Sequence, residues 1–148
     1  MNIVEAENFQ GAFLERYKDT ETLCQSDRKV AAMHFGGVTV ECLLKAIILD
    51  KLPPNTDRVW KNNSNSPGHT TTNPGHKLHE AVKRNPHLFQ RVQQFPEVIR
   101  WINAVENPSQ HFIDMRYSDK QIADTDYKSW YSDYKSLIRW LQIQATRI

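Results

Sequence analysis

The feature that most constrains this chain is one long helical pattern over residues 27–52, stopped by Pro53-Pro54. Ser26 is placed to cap it, and Asp27 suits its first turn. At 1.5 Å per residue such a helix is about 40 Å long, the spine of a small domain. Gly36-Gly37 falls in its middle, where two glycines cost roughly 1–2 kcal/mol against alanine. Either a close helix crossing or a ligand approaching the backbone would offset that cost, and the crossing is the simpler reading. A stripe of His34, Val38, Glu41 and Lys45 follows one side of the helix within about 40°, with Asp27 near the same line. Glu41 precedes Lys45 at the i, i+4 spacing that favours an ion pair. The stripe fits a partly exposed face with a local salt bridge, and it equally fits a polar seam turned toward another helix, where a buried charge needs a partner.

Around this spine the remaining pattern is helical. Residues 4–19 place Val4, Phe9, Phe13, Leu14 and Tyr17 near one face, and 20–25 read as a connection. Residues 53–75 form a long polar loop of Asn, Ser, Thr, Gly and Pro, of a length that is often functional, with Val59-Trp60 pinning its first half. Short helices are predicted from His76 to Arg84 and from His87 to Gln94. Pro96 opens a helix to Glu106, and Pro108 opens another through His111 to Tyr117. A last helix over 125–146 carries Tyr127, Trp130, Tyr134, Leu137, Ile138, Leu141 and Ala145 at core spacing. No stretch alternates with a period of two. The expectation is a single all-α domain over 1–148, an up-down bundle of four or five main helices with short extra ones. A chain of 148 residues can bury roughly two-thirds of its unfolded surface, enough for its own core.

Charge and cysteine usage exclude little. Lys plus Arg number 19 against 17 Asp plus Glu, so net charge neither demands nor rules out nucleic acid. Cys24 and Cys42 are too few and too far apart for a disulfide framework or a zinc motif. No signal peptide is visible, and the apolar stretch 38–49 is short for a bilayer. A cytoplasmic protein without membrane association is expected. GxGxxG, GxxxxGK[ST], GxSxG and HExxH are all absent.

The run Ala32-Met33-His34-Phe35-Gly36-Gly37-Val38-Thr39-Val40-Glu41-Cys42-Leu43-Leu44-Lys45-Ala46 resembles the long-helix signature of HEPN domains (higher eukaryotes and prokaryotes nucleotide-binding). Gly75-His76-Lys77-Leu78 is similar to the family's next helix start, and Met115-Arg116-Tyr117-Ser118-Asp119 to its Arg-Tyr pair. The three occur in family order over residues 28–119. The resemblance implies a helical bundle associated with nucleotides or RNA, at home in toxin–antitoxin and defence systems, some members beside a minimal nucleotidyltransferase. Catalytic members are metal-independent ribonucleases that carry Arg, four to six residues, then His near the start of a late helix. Here no His follows Arg116, and His111 precedes it. Arg28 and His34 have the spacing, but on the long second helix and about 120° apart. The resemblance therefore implies the Arg-Tyr subgroup, with catalysis in doubt.

Arg116, flanked by Phe112, Ile113 and Tyr117, wants a carboxylate, and Glu41 is the candidate, either as a structural bridge or as the group that orients Arg116 toward a phosphate. The expected ligand-binding cleft is His34, Glu41, Lys45, His76, Arg116 and Tyr117, with His34 and Arg116 the candidates if catalysis occurs. His69, His76 and His79 could in principle hold a metal, but no further ligands complete the set, so no metal or other cofactor is expected. Lys77, Lys83, Arg84, Arg91 and Arg100 form a locally basic segment, read first as a solvated face, and the late aromatics read first as core or dimer interface. The leading expectation is a nucleotide- or RNA-associated module, non-catalytic or weakly catalytic, and homodimeric. An endoribonuclease toxin and a scaffold for a partner nucleotidyltransferase are the alternatives.

Overall fold

The computed structural model describes residues 3–53, 59–60 and 71–148. Six α-helices and one 3₁₀ turn make an all-α bundle, and no strand occurs among the described residues. The helices are α1 (Ile3–Gln25), α2 (Lys29–Asp50), α3 (Leu78–Val82), α4 (Pro86–Gln94), α5 (Pro96–Glu106) and α6 (Asp124–Gln144), with the 3₁₀ turn at Asp114–Tyr117. The bodies of the long helices and all of α5 lie where the periodicity predicts. Most of the polar loop, residues 54–58 and 61–70, lies outside the described residues. Trp60 anchors the part that is described: its backbone N–H donates to Glu5 Oε1 at 3.3 Å, and its ring packs against the core.

The first turn differs from the expectation. Residues 20–25 are not a connection but the last turns of α1, held there because the Thr20 hydroxyl donates to the Arg16 carbonyl and meets Thr39 Oγ1 on α2 at 3.2 Å. Ser26 and Asp27 do not begin the second helix; they end the first. Arg28 N–H reaches the Leu23 carbonyl (2.9 Å), Asp27 N–H reaches the Cys24 carbonyl (3.1 Å), and Asp27 has φ +55. That is a Schellman closure with a left-handed residue just beyond the helix end. Aspartate tolerates this conformation better than most residues, so the C-terminal signal outcompetes the N-cap signal it was read as. The three-residue turn folds α1 and α2 into an antiparallel hairpin, the most extensive helix contact in the protein.

α2 is the centre. It also touches α3, α5, α6 and the 3₁₀ turn, and Met33, Val40, Leu44, Ile48 and Leu49 are fully enclosed. Its length and apolarity match those of a membrane-crossing helix, yet 78% of that stretch is buried inside the protein, as in a core helix. The glycine pair makes this possible. A Cβ on Gly36 would stand 2.5 Å from Trp130 Cζ2, and one on Gly37 would stand 2.1 Å from Phe112 Cγ. α6 and the segment before the 3₁₀ turn therefore press directly onto the α2 backbone, and the dispersion contacts offset the helix-propensity cost.

Two further corrections concern side chains and boundaries. Leu14, expected on the inward face of α1, is half exposed, whereas Phe13 is buried. The helix expected from Pro108 to Tyr117 is absent: residues 107–113 are bends and turns, and only one 3₁₀ turn follows. Phe112 explains this. Its ring fills the Gly37 notch, its N–H goes to the Glu106 carbonyl at 2.9 Å, and its own carbonyl accepts from His34. Those three demands cannot be met in a continuous helix. α4 and α5 follow their predicted starts, with Asn85 Oδ1 capping α4 by accepting from Leu88 N–H (2.9 Å) and Pro96 in the first turn of α5.

Gly37→Ala should destabilise the fold by about 1–3 kcal/mol, the usual cost of overpacking a tight core. Gly11→Ala, on the exposed middle of α1 with nothing near its Cβ position, should instead stabilise by about 0.5–1 kcal/mol. Urea unfolding with unchanged m-values reads both.

Candidate functional site

The α1–α2 turn leaves the start of α2 uncapped. No side chain bonds its first-turn N–H groups, and the N–H groups of residues 29–31 have no intrahelical acceptor, because the first helical bond is Ala32 N–H to the Arg28 carbonyl (2.8 Å). This positive helix end opens into a cleft of about 600 Å³. Arg28 and Lys29 line one side; His34 and Phe35 stand one to two turns along α2; Met115, Arg116 and the coil 118–122 close the other side. Four cationic side chains, Arg28, Lys29, Arg116 and Lys120, face two carboxylates, Asp27 and Asp119. Lys29 is the most engaged of the four. It bonds Asp124 and, at 3.3 Å, the Ile122 carbonyl, which ties the coil to α2. This pairing holds the Asp124 carboxyl below its usual range and raises Lys29. Arg28 and Arg116 form no ion pair among the described residues.

His34 is oriented within the cleft. Its Nδ1 lies 3.0 Å from the Phe112 carbonyl. A carbonyl can only accept, so Nδ1 carries the proton and Nε2 of the neutral ring keeps its lone pair. Arg116 is exposed, with its guanidinium 4.8 Å from the ring centre of Tyr117, itself 78% exposed. The neighbourhood thus offers cations, a helix N-terminus, an oriented imidazole and an open aromatic face.

The six residues expected in one cleft fall into two groups. His34 and Arg116 share the cleft, and Tyr117 stands beside Arg116. Glu41, Lys45 and His76 form a separate network. Glu41 accepts from Lys45 Nζ through Oε2 and from His76 Nδ1 through Oε1, both at 2.8 Å. The expected Glu41–Arg116 bridge is therefore not formed. The reason is local: in the 3₁₀ turn Met115 is the residue that faces inward, which sends Arg116 out to solvent. The two groups are mechanically joined through Phe112, whose carbonyl holds His34 and whose ring meets His76 edge-on and stacks on His111. His111 Nε2 in turn donates to the His76 carbonyl at 2.9 Å and its Nδ1 accepts from Ile113 N–H.

Arg28, Lys29 and Lys120 line this cleft, although the sequence reading places none of them in the site. Arg28 and His34, whose Arg-x5-His spacing the sequence reading sets aside, line the same cleft. Their 120° separation on an ideal helix counted against them, but Arg28 lies before the helix, where that angle does not apply. The other histidines have partners or lie outside the described residues. His79 bonds Asn103, His87 is exposed in the first turn of α4, and His69 is not among the described residues. No cluster of three metal-binding side chains occurs among the described residues. The basic segment of α3–α5 is partly engaged, with Lys83 on Glu80, Arg84 on the Thr72 carbonyl and Arg91 on Gln144. Neither cysteine is set up as a nucleophile: burial raises Cys24 and pushes the Cys42 thiol up to about 11.

The side chains of Glu41 and Lys45 are 11% and 6% exposed. Glu41→Leu strands the Lys45 ammonium in the core and should cost about 3–5 kcal/mol, whereas Glu41→Leu/Lys45→Met removes both charges and should recover most of the loss. Chemical denaturation of the single and double variants measures this. No family model, curated protein or solved structure matches this chain.

Proposed function

We propose that this protein is an HEPN-like module that binds nucleotides or RNA through phosphate, with little or no catalysis of its own. The observation that carries the reading is the cleft at the α2 N-terminus, lined by Arg28, Lys29, Arg116 and Lys120, where the first backbone N–H groups of α2 have neither an intrahelical acceptor nor a side-chain cap. Such a helix start selects anions, arginine guanidinium groups suit phosphate oxygens, and Tyr117 offers an exposed ring beside them on which a base could stack. The order of the three sequence motifs agrees with this reading. A role in a toxin–antitoxin or defence system, assembly as a homodimer and a partner nucleotidyltransferase belong to the same proposal. A pure scaffold is less well served: the large apolar side chains exposed among the described residues are Leu14, Tyr117 and Ile143, on three different elements.

One observation favours the ribonuclease alternative. His34, with Nε2 free to take a proton, shares the cleft with Arg116. In that reading His34 Nε2 accepts the proton of a ribose 2′-OH and the oxygen attacks the adjacent phosphorus. The bond to the 5′-oxygen breaks, that oxygen takes a proton from water, and a 2′,3′-cyclic phosphate remains. Arg116 would stabilise the charge on the non-bridging oxygens.

Binding of single-stranded RNA should weaken linearly in log[salt], with a slope of about −0.7 for each phosphate neutralised. Arg116→Ala should lower affinity and make the slope shallower. RNA incubated in EDTA with wild type, Arg116→Ala and His34→Ala, each confirmed folded, separates the two readings. Binding without cleavage supports the module. Cleavage that falls at least about tenfold in a folded variant supports the ribonuclease. RNA and nucleotides that fail to bind at low salt sink both.

A further inference from the structure

We propose that coil 118–123 is a strap that Lys29 holds against the start of α2, and that a phosphate bound in the cleft releases it by displacing Asp124 from Lys29. The proposal rests on the phosphate-binding reading of that cleft and deepens it, naming how the site is regulated. The coil runs from the 3₁₀ turn to the first residue of α6 and forms one wall of the cleft. Among the described residues, two side chains bond it to segments that are not its immediate neighbours, and both are lysines that line the cleft. Lys29 Nζ crosses from α2 to the Ile122 carbonyl at 3.3 Å and to Asp124 Oδ1 beyond it. Lys120 Nζ reaches Ser109 Oγ at 2.9 Å. The cations that hold the strap shut are therefore cations that an incoming anion attracts.

Asp124 and a phosphate compete for one ammonium. Lys29 has three donors, and two of them bond the strap and the residue that follows it. A phosphate drawn to the first N–H groups of α2 sets a second anion beside Asp124, and like charges that close repel. The carboxylate is the easier of the two to move away. Its side chain is 76% exposed, against 19% for Lys29, so the ion pair is made largely in water and is weak. Released from Lys29, Asp124 keeps support of its own. It stands in the first turn of α6, at that helix's positive end, and Lys128 lies one turn further on and favours its charge. Asp124 thus loses little by the exchange, and Lys29 becomes a full charge for the ligand.

Without Lys29 the coil keeps the packing of Ile122 against the core and, until the ligand recruits Lys120 as well, the bond to Ser109. It therefore loosens in place and does not swing away as a rigid lid. Lys120, Gln121 and Ile122 also form a wall of a second cavity of about 400 Å³, made with Ala104 of α5, residues 107–109 and the first half of α6. Loosening the strap reshapes that cavity too, so occupancy of the cleft is felt on the other side of the coil. The coupling is reciprocal: whatever loosens the strap in the free protein raises the affinity for the ligand.

The test compares wild type with Asp124→Asn and Asp126→Asn, each confirmed folded, and uses an oligo(U) octamer as the probe. The two substitutions remove the same charge from the same turn of α6, but Asp124 is the one bonded to Lys29. Asp124→Asn should bind the octamer about threefold more tightly than wild type, the scale of an exposed ion pair. Asp126→Asn should stay within about 1.5-fold of wild type, since an unpaired exposed charge acts through screening solvent. ¹⁵N relaxation of the 119–123 amides reads the strap itself. Their order parameters should fall toward about 0.6 when wild type is saturated with the octamer, and should already be lowered in Asp124→Asn without RNA. Three outcomes overturn the inference and leave the phosphate reading standing. The first is an affinity of Asp124→Asn at or below that of wild type. The second is an equal gain in the two variants, which marks a charge effect without competition. The third is strap order that is unchanged or higher in saturated wild type. Failure of wild type and both variants to bind the octamer at low salt removes the phosphate reading and this inference with it.

Discussion

Everything in this structure depends on how closely other elements approach the backbone of α2. A helix with Met33, Val40, Leu44 and Ile48 spread around it must be covered on most sides, and the six helices among the described residues leave few elements to do so. Gly36 and Gly37 solve this by removing side chains where coverage is hardest. Trp130 and Tyr134 of α6 lie against the first and Phe112 against the second. The aromatic rings of α6 stack on one another behind this contact, Trp130 on Tyr134 at 5.1 Å and Tyr127 on Trp130 at 5.9 Å. The core is thus an aromatic layer laid onto bare helix backbone.

The polar features are by-products of that packing, placed where it ends. Before the glycines, α2 begins without a cap, and the cleft forms at that open end. Beyond them, α2 is too enclosed to expose Glu41 and Lys45, so the two neutralise each other and His76 supplies the second hydrogen bond to the carboxylate. The buried pair and the cleft are distinct pieces of chemistry on one helix. The first satisfies charges that the core has enclosed, and the second leaves charges accessible.

Much of the fold was legible in the sequence because helix periodicity and proline positions are local signals. Pro96 to Glu106 is read without error, and the inward set of α6 follows from spacing alone. The glycine pair announced a close crossing, although not its occupant. What the sequence concealed were competitions between signals. Ser26-Asp27 could cap the coming helix or close the preceding one, and hydrogen bonds from Asp27 and Arg28 back to α1 decide for closure. Pro108 could open a helix, but Phe112 is claimed by a notch seventy-five positions earlier in the chain. The candidate site suffered from the same long-range effect. Pairing Glu41 with Arg116 assumed that a helix carries Arg116 inward, and once that helix is replaced by a 3₁₀ turn the arginine belongs to a different surface.

Phe112 serves two masters. Its ring seats the segment against α2, while its carbonyl fixes the tautomer and tilt of His34. Positions 34, 37 and 112 are therefore one heritable unit rather than three. A lineage could not enlarge Gly37 without displacing Phe112, nor displace Phe112 without releasing His34 from its orientation. The cleft's imidazole is inherited with the core, and drift in the interior is transmitted to the surface through a single peptide carbonyl.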